Sequence, residues 1–139
     1  MIDRVLVPMD GSAMAEKALD YACTVHRDAE ITVLTVVGVP TLHMGEAAGL
    51  SLADDLDAAA MEIASPIFAS AAELAGKYQH DITTMVRLGR PSRAICREAS
   101  NHDVVVIGAH GRDFTSRLLL GNIAELVTKR SPVPVTVVR

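Results

Sequence analysis

Three glycines and one acidic turn are the residues of this chain best suited to chemistry. Gly108 and Gly111 end the stretch DVVVIGAHG, and Gly121 follows after nine intervening residues. Glycine tolerates positive φ and lets the main chain come close to a ligand, so N–H groups around Gly108 and Gly111 can converge on anionic oxygens. Gly121-Asn122 opens a stretch of helical spacing, whose free N–H groups and positive dipole end make a second anion site. The segment between them, RDFTSRLLL, adds hydroxyls at Thr115 and Ser116 and cations at Arg112 and Arg117. This is the chemistry of a phosphate cradle. The same spacing also serves a tight turn followed by a helix start, although a loop that only turned the chain could be shorter.

The acidic turn is Asp10-Gly11-Ser12, after the apolar run RVLVPM. Asp10 and Ser12 suit the cap of a following helix, a role compatible with contact to a ligand. His110 has no carboxylate or nucleophile beside it in sequence, so it is expected to serve through its backbone rather than by acid–base work. No catalytic constellation is visible. His26, His43, His80 and His102 share no metal-ligand spacing and read as solvated or capping residues, leaving Mg²⁺ carried by phosphates as the only metal to expect. Cys23 and Cys96 have no CxxC spacing and read as idle thiols in helices.

The elements that position these residues follow from periodicity. Residues 4–9, 31–37 and 103–108 are almost wholly apolar and rich in Val and Ile, as strands covered on both faces are. Residues 81–88 mix Thr83 and Arg87 with apolar positions, and residues 133–139 contain Pro134, which cannot donate to a ladder; both read as edge strands. Helical spacing places Ala15, Ala18, Leu19, Ala22 and Val25 on one face of residues 12–27, and Leu56, Ala60, Ile63, Ile67, Ala71 and Leu74 on one face of residues 51–78. Pro66 is expected to kink or split that second helix. Shorter helices are expected at 91–101 and 121–130, and residues 38–50 read as a connecting loop.

Strict alternation of strand and helix builds a parallel sheet with helices on both faces. With right-handed crossovers, three interior strands and two edges, the expected architecture is α/β, one domain over residues 1–139, a doubly wound five-stranded parallel sheet of order 3-2-1-4-5. In that order the winding reverses between strands 1 and 4, and the reversal opens a crevice at their carboxyl ends where ligands bind. The acidic turn stands at one lip and Gly108 to Gly111 at the other.

Composition narrows the function classes. A net charge of −4 without a Lys/Arg-rich block argues against nucleic acid, and two Phe, two Tyr and no Trp leave few platforms for stacking bases. Uninterrupted apolar runs of fewer than ten residues are too short for a bilayer, and the N-terminus lacks a signal peptide's basic start, so no membrane association and a cytoplasmic location are expected.

Taken together, RVLVPMDGS, AEKAL, RLGRPSRAI, DVVVIGAHGR, LLLGNIAELV and PVPVTVVR resemble the universal stress protein family along essentially the whole chain. Nucleotide-binding members carry G-x2-G-x9-G-[S/T]; Gly108, Gly111 and Gly121 keep that spacing, with Asn122 in place of the hydroxyl residue. The resemblance implies a fold of the adenine nucleotide alpha hydrolase-like type, ATP or a related nucleotide in the crevice, a homodimer through the C-terminal strand, and a regulatory role read by an unknown protein partner. It also implies that Pro8, Asp10 and Val36 frame adenine and ribose, that Ile107, Gly108, His110 and Gly111 wrap ribose and phosphates, and that Gly121, Asn122 and Ile123 close on the phosphate tail. An ATP-cleaving ligase would need SGGxDS or HxGH, which MDGSAM and GAHGRD do not match. A two-component receiver would need an Asp after strand 3, where the chain reads RLGR. The remaining alternative is a ligand-free interaction protein of the same fold.

Overall fold

The computed structural model describes residues 1–38, 52–111 and 120–139, with the side chains of 52–54 excepted. Its elements run β1 (Arg4–Pro8), α1 (Ala13–Val25), β2 (Glu30–Val37), α2 (Leu52–Gly76), β3 (Ile82–Leu88), α3 (Pro91–Ala99), β4 (Val104–Gly108), α4 (Asn122–Arg130) and β5 (Val135–Val138). All pairings are parallel and the sheet order is β3-β2-β1-β4-β5, the architecture that the alternation of elements implies.

Strand side chains alternate between two apolar layers, as a sheet buried on both faces requires. Val5, Val7, Ile31, Val33, Val104 and Val106 pack with α1 and α2, whereas Leu6, Leu34, Val105 and Ile107 pack with α3 and α4. Every residue of β4 is buried, while β3 and β5 are mostly half-buried or exposed, in keeping with interior and edge positions.

Three local expectations are corrected. Val25 is 51% exposed and Ile63 40% exposed, and the core faces of their helices are completed instead by Cys23 and by Ala64 and Ala75. Pro66 does not split its helix, since it lies inside one continuous α2. Both Pro66 and Glu62, whose carbonyl would have received the missing N–H, are exposed, so water can satisfy what the proline leaves open. Finally, Asp55–Gly76 is long and apolar enough on composition to cross a bilayer, which counting uninterrupted runs did not anticipate. Its apolarity has a use within the fold: Ala60, Ala64, Ala71 and Ala75 are buried, and α2 packs on α1, β2 and β3.

The pairing of β1 with β4 is the feature that makes a site. It extends only over Val5↔Val104 and Leu6↔Val105, while β1 follows β2 to Pro8↔Leu34 and β4 follows β5 to Gly108↔Val138. Each of the two central strands therefore ends against its outer neighbour, and the sheet parts between them at the carboxyl end.

Candidate functional site

At this parting lies a cavity of about 460 Å³. Its aliphatic lining comes from Pro8, Leu34, Val36, Ile95 and Ile107, and its polar lining from Asp10, Ser12, His110 and Asn122. Pro8, Asp10, Val36, Ile107, Gly108, His110, Gly111, Gly121, Asn122 and Ile123, all singled out from the sequence, line this one cavity. Met9, Ser12, Ala15, Leu34, Pro91, Ile95 and Ala124 line it as well. Pro91 and Ile95 stand four apart at the start of α3, on the face that joins the α3–α4 layer, and that spacing was the available signal. Ile123 is 43% exposed at the rim, apolar surface that a ligand would cover.

The first lip is built by turn chemistry. Gly11 has φ 85°, the left-handed conformation that favours glycine, so the chain turns sharply after Asp10. Asp10 Oδ1 accepts the Ser12 N–H at 2.9 Å. Ser12 is the N-cap of α1, its hydroxyl accepting the Ala15 N–H at 3.2 Å. Asp10 thus supports the helix start through Ser12 and does not cap it directly. Its Oδ2 faces the second lip.

On that second lip the glycines are needed for space. Positive φ among the described glycines occurs only at Gly11 and Gly89, contrary to the expectation for Gly108 and Gly111. A Cβ on Gly108 would come within 2.8 Å of Met14 Cγ and 2.9 Å of the Met14 carbonyl; one on Gly111 would stand 2.7 Å from Asp10 Oδ2. Gly121 is the N-cap of α4, with φ −68°, and a Cβ there would stand 3.0 Å from His110 Cα. The cap therefore falls on Gly121. Gly121 has no side chain to cap this helix, and among the described residues none caps it, so the N–H groups of its first turn lie at its end beside the cavity. The Gly121 N–H donates to the Ala109 carbonyl at 2.8 Å, tying together the two ends of the excursion between the last two glycines. Arg112, Thr115, Ser116 and Arg117 lie outside the described residues, as do His43 and most of the 38–50 connection.

Other candidate chemistry is accounted for by structure. His26 ends α1, with its N–H donating to the Ala22 carbonyl; His102 Nδ1 meets the Glu98 carbonyl at 3.0 Å, and His80 Nδ1 the Asp81 carbonyl at 2.8 Å. Burial pushes the thiols of Cys23 and Cys96 up, which keeps both protonated and poorly nucleophilic. Among the described residues no three His, Cys, Asp or Glu side chains converge on a point that could hold a metal.

The family model described as "Universal stress protein family" matches residues 1–139. The chain belongs to the universal stress protein family. Universal stress protein YxiE of Bacillus subtilis is 26% identical, over all of both chains. The solved structure of hypothetical protein MJ0577 superposes with a TM-score of 0.81 at 25% identity, covering 99% of this chain and 96% of that one. A universal stress protein crystallised in complex with cAMP superposes with a TM-score of 0.71 at 24% identity, covering 99% and 97%.

Proposed function

We propose that the crevice binds an adenine nucleotide, ATP carrying Mg²⁺, and that the bound state is what a protein partner reads when this universal stress protein acts in a cytoplasmic stress response. The observation that carries this reading is the convergence of an aliphatic slot and a helix N-terminus whose cap residue, Gly121, has no side chain, on one cavity. The slot between Pro8, Val36 and Ile107 suits the flat apolar faces of a purine. Asp10 Oδ2, on the open side of its turn, suits a ribose hydroxyl. Main chain at Gly108, His110 and Gly111 and the first turn of α4 at Gly121, Asn122 and Ile123 suit phosphate, which needs donors and a positive dipole end. A side chain at Gly111 would occupy the gap between the lips, so the cradle fits the ligand only with glycine there. With no cluster of metal ligands among the described residues, Mg²⁺ would travel with the phosphates. A relative of this fold in complex with cAMP adds support for the adenine class.

We read the protein as a binder and not an enzyme. Its second expected property is a homodimer: β5 pairs with β4 on one side only, and all its residues are half-buried. An apolar edge of this kind is usually covered, and pairing with its copy about a twofold axis would cover it. Native mass spectrometry of the purified protein tests both. Adenine nucleotide on a dimer is the expected result; a dimer free of nucleotide would favour the interaction-protein alternative, and a monomer at low micromolar concentration would remove the β5 interface.

A further inference from the structure

The main-chain bonding of β2 next to the cavity departs from a regular ladder at one place. In a parallel pair the N–H and C=O of a strand residue point to the same side, and successive residues alternate between neighbours. The Leu34 carbonyl accepts the Met9 N–H at 2.9 Å, so Leu34 and, two residues on, Val36 turn their polar groups towards β1. The Val37 carbonyl accepts the Gly89 N–H at 3.0 Å, on the β3 side, in agreement with that alternation. A regular ladder would next give the Met9 carbonyl to the Val36 N–H. Instead that carbonyl accepts the Thr35 hydroxyl, at 3.0 Å.

Thr35 is 3% exposed, within an otherwise aliphatic stretch of strand. A buried hydroxyl costs stability unless it is bonded, and the Met9 carbonyl is its acceptor. Thr35 alternates with Leu34 and Val36, which face the cavity layer, so its side chain stands on the α1–α2 face with Val33. It therefore works from behind the sheet, out of reach of anything in the cavity. Its bond engages the Met9 carbonyl from that face, immediately before the Asp10 turn, and Val36 lines the cavity wall.

We propose that Thr35 is a positioning residue of the nucleotide site: its hydroxyl takes the Met9 carbonyl and so keeps the Val36 N–H available for the edge of the base. The inference rests on the nucleotide-binding reading for its ligand, but its geometric part stands apart from it. A valine here, isosteric and aliphatic like its neighbours, would release the carbonyl to Val36 and restore the ladder at the expense of the site.

The test combines hydrogen exchange of the Val36 amide, read by NMR, with calorimetric titration of AMP into wild type, Thr35→Val and Thr35→Ser. In ligand-free wild type and in Thr35→Ser the Val36 amide exchanges fast, and it slows when AMP is added. In Thr35→Val it is slow without ligand, and AMP affinity falls about fivefold, the worth of one neutral hydrogen bond. Thr35→Val binding AMP like wild type with an equally fast Val36 amide would overturn the inference, as would a slow Val36 amide in ligand-free wild type, which needs no variant to fold. If wild type binds no AMP, the nucleotide reading falls, while a fast amide in wild type and a slow one in Thr35→Val still uphold the role of the hydroxyl.

Discussion

Asp10 and Gly111 meet across the mouth of the crevice, with Asp10 Oδ2 2.7 Å from the point where a Cβ on Gly111 would stand. The other carboxylate oxygen is held by the Ser12 N–H at 2.9 Å, so the side chain cannot swing away without undoing the turn that starts α1. The two lips of the cavity are thereby set against each other by one acid and one missing side chain.

Gly111→Ala places a methyl group on that carboxylate. Gly111 is exposed and its neighbour is a side-chain end, so the melting temperature should change by only a few degrees, the response to about 1 kcal/mol or less in a small domain. Nucleotide affinity should fall about tenfold. The same substitution in an Asp10→Ala background should cost much less, because contacting residues couple. Equal losses in both backgrounds would show that the contact does not matter to binding.

Gly108→Ala, in contrast, is a stability change. Its Cβ would press on Met14 Cγ and on the Met14 carbonyl, and main chain of α1 cannot yield as a side-chain end can. Overpacking of this kind costs about 1–3 kcal/mol, to be read as a lowered urea midpoint with unchanged slope. A midpoint equal to that of wild type would mean that α1 shifts freely over β4.

These two glycines also mark how far the sequence can be read. Val-rich runs with helical spacing between them carry the sheet order, because an alternation of five strands and four helices with two recognisable edge strands leaves few topologies, and the lips follow from that order. The reason for each glycine did not follow: positive φ and lack of room leave the same letter, and only the placement of Met14, Asp10 and His110 against Gly108, Gly111 and Gly121 distinguishes them. Pro91 and Ile95 were missed as cavity lining because they come from α3, remote in sequence from both lips, and enter the wall only through the packing of α3 on Leu34 and Ile107. Val25 and Ile63 were misplaced because helical spacing gives a stripe but not its width, and the buried faces are completed by Cys23, Ala64 and Ala75 instead.

The phosphate end is tested by two substitutions at the start of α4. Asn122→Ser should alter affinity by less than about 1 kcal/mol, because the cap is Gly121 and the donors are main-chain N–H groups. Gly121→Val should lower it at least tenfold, about 1.4 kcal/mol, by forcing His110 away from the helix start. Calorimetric titration of both beside wild type decides: a large gain from Asn122→Ser would place the phosphate on the side chain, and normal binding by Gly121→Val would make the glycine a mere turn residue.

The opposite end of the sheet carries a pH dependence. Asp103 Oδ2 accepts the N–H groups of Asp3 and Arg4 at 2.8 and 2.9 Å, and these bonds hold its carboxyl below the usual carboxylate range. A pKa lower in the folded than in the unfolded state adds stability in full above the unfolded value, and the gain disappears as pH falls through the folded value. Asp103→Asn should therefore lower the urea midpoint at neutral pH, with the gap to wild type closing below about pH 4. A gap that persists unchanged to about pH 2 would assign the effect to shape and not to charge.

The central claim is that the crevice of this universal stress protein holds an adenine nucleotide, and calorimetric titration of the wild-type protein with Mg·ATP, with Mg·GTP as the control, tests it most directly. The account predicts saturable one-site binding of Mg·ATP, weaker response to Mg·GTP, and stabilisation by RT ln(1 + [L]/Kd), about 2.7 kcal/mol at a hundredfold excess over Kd. No heat from Mg·ATP at millimolar concentration, with a melting temperature that does not move, would contradict it.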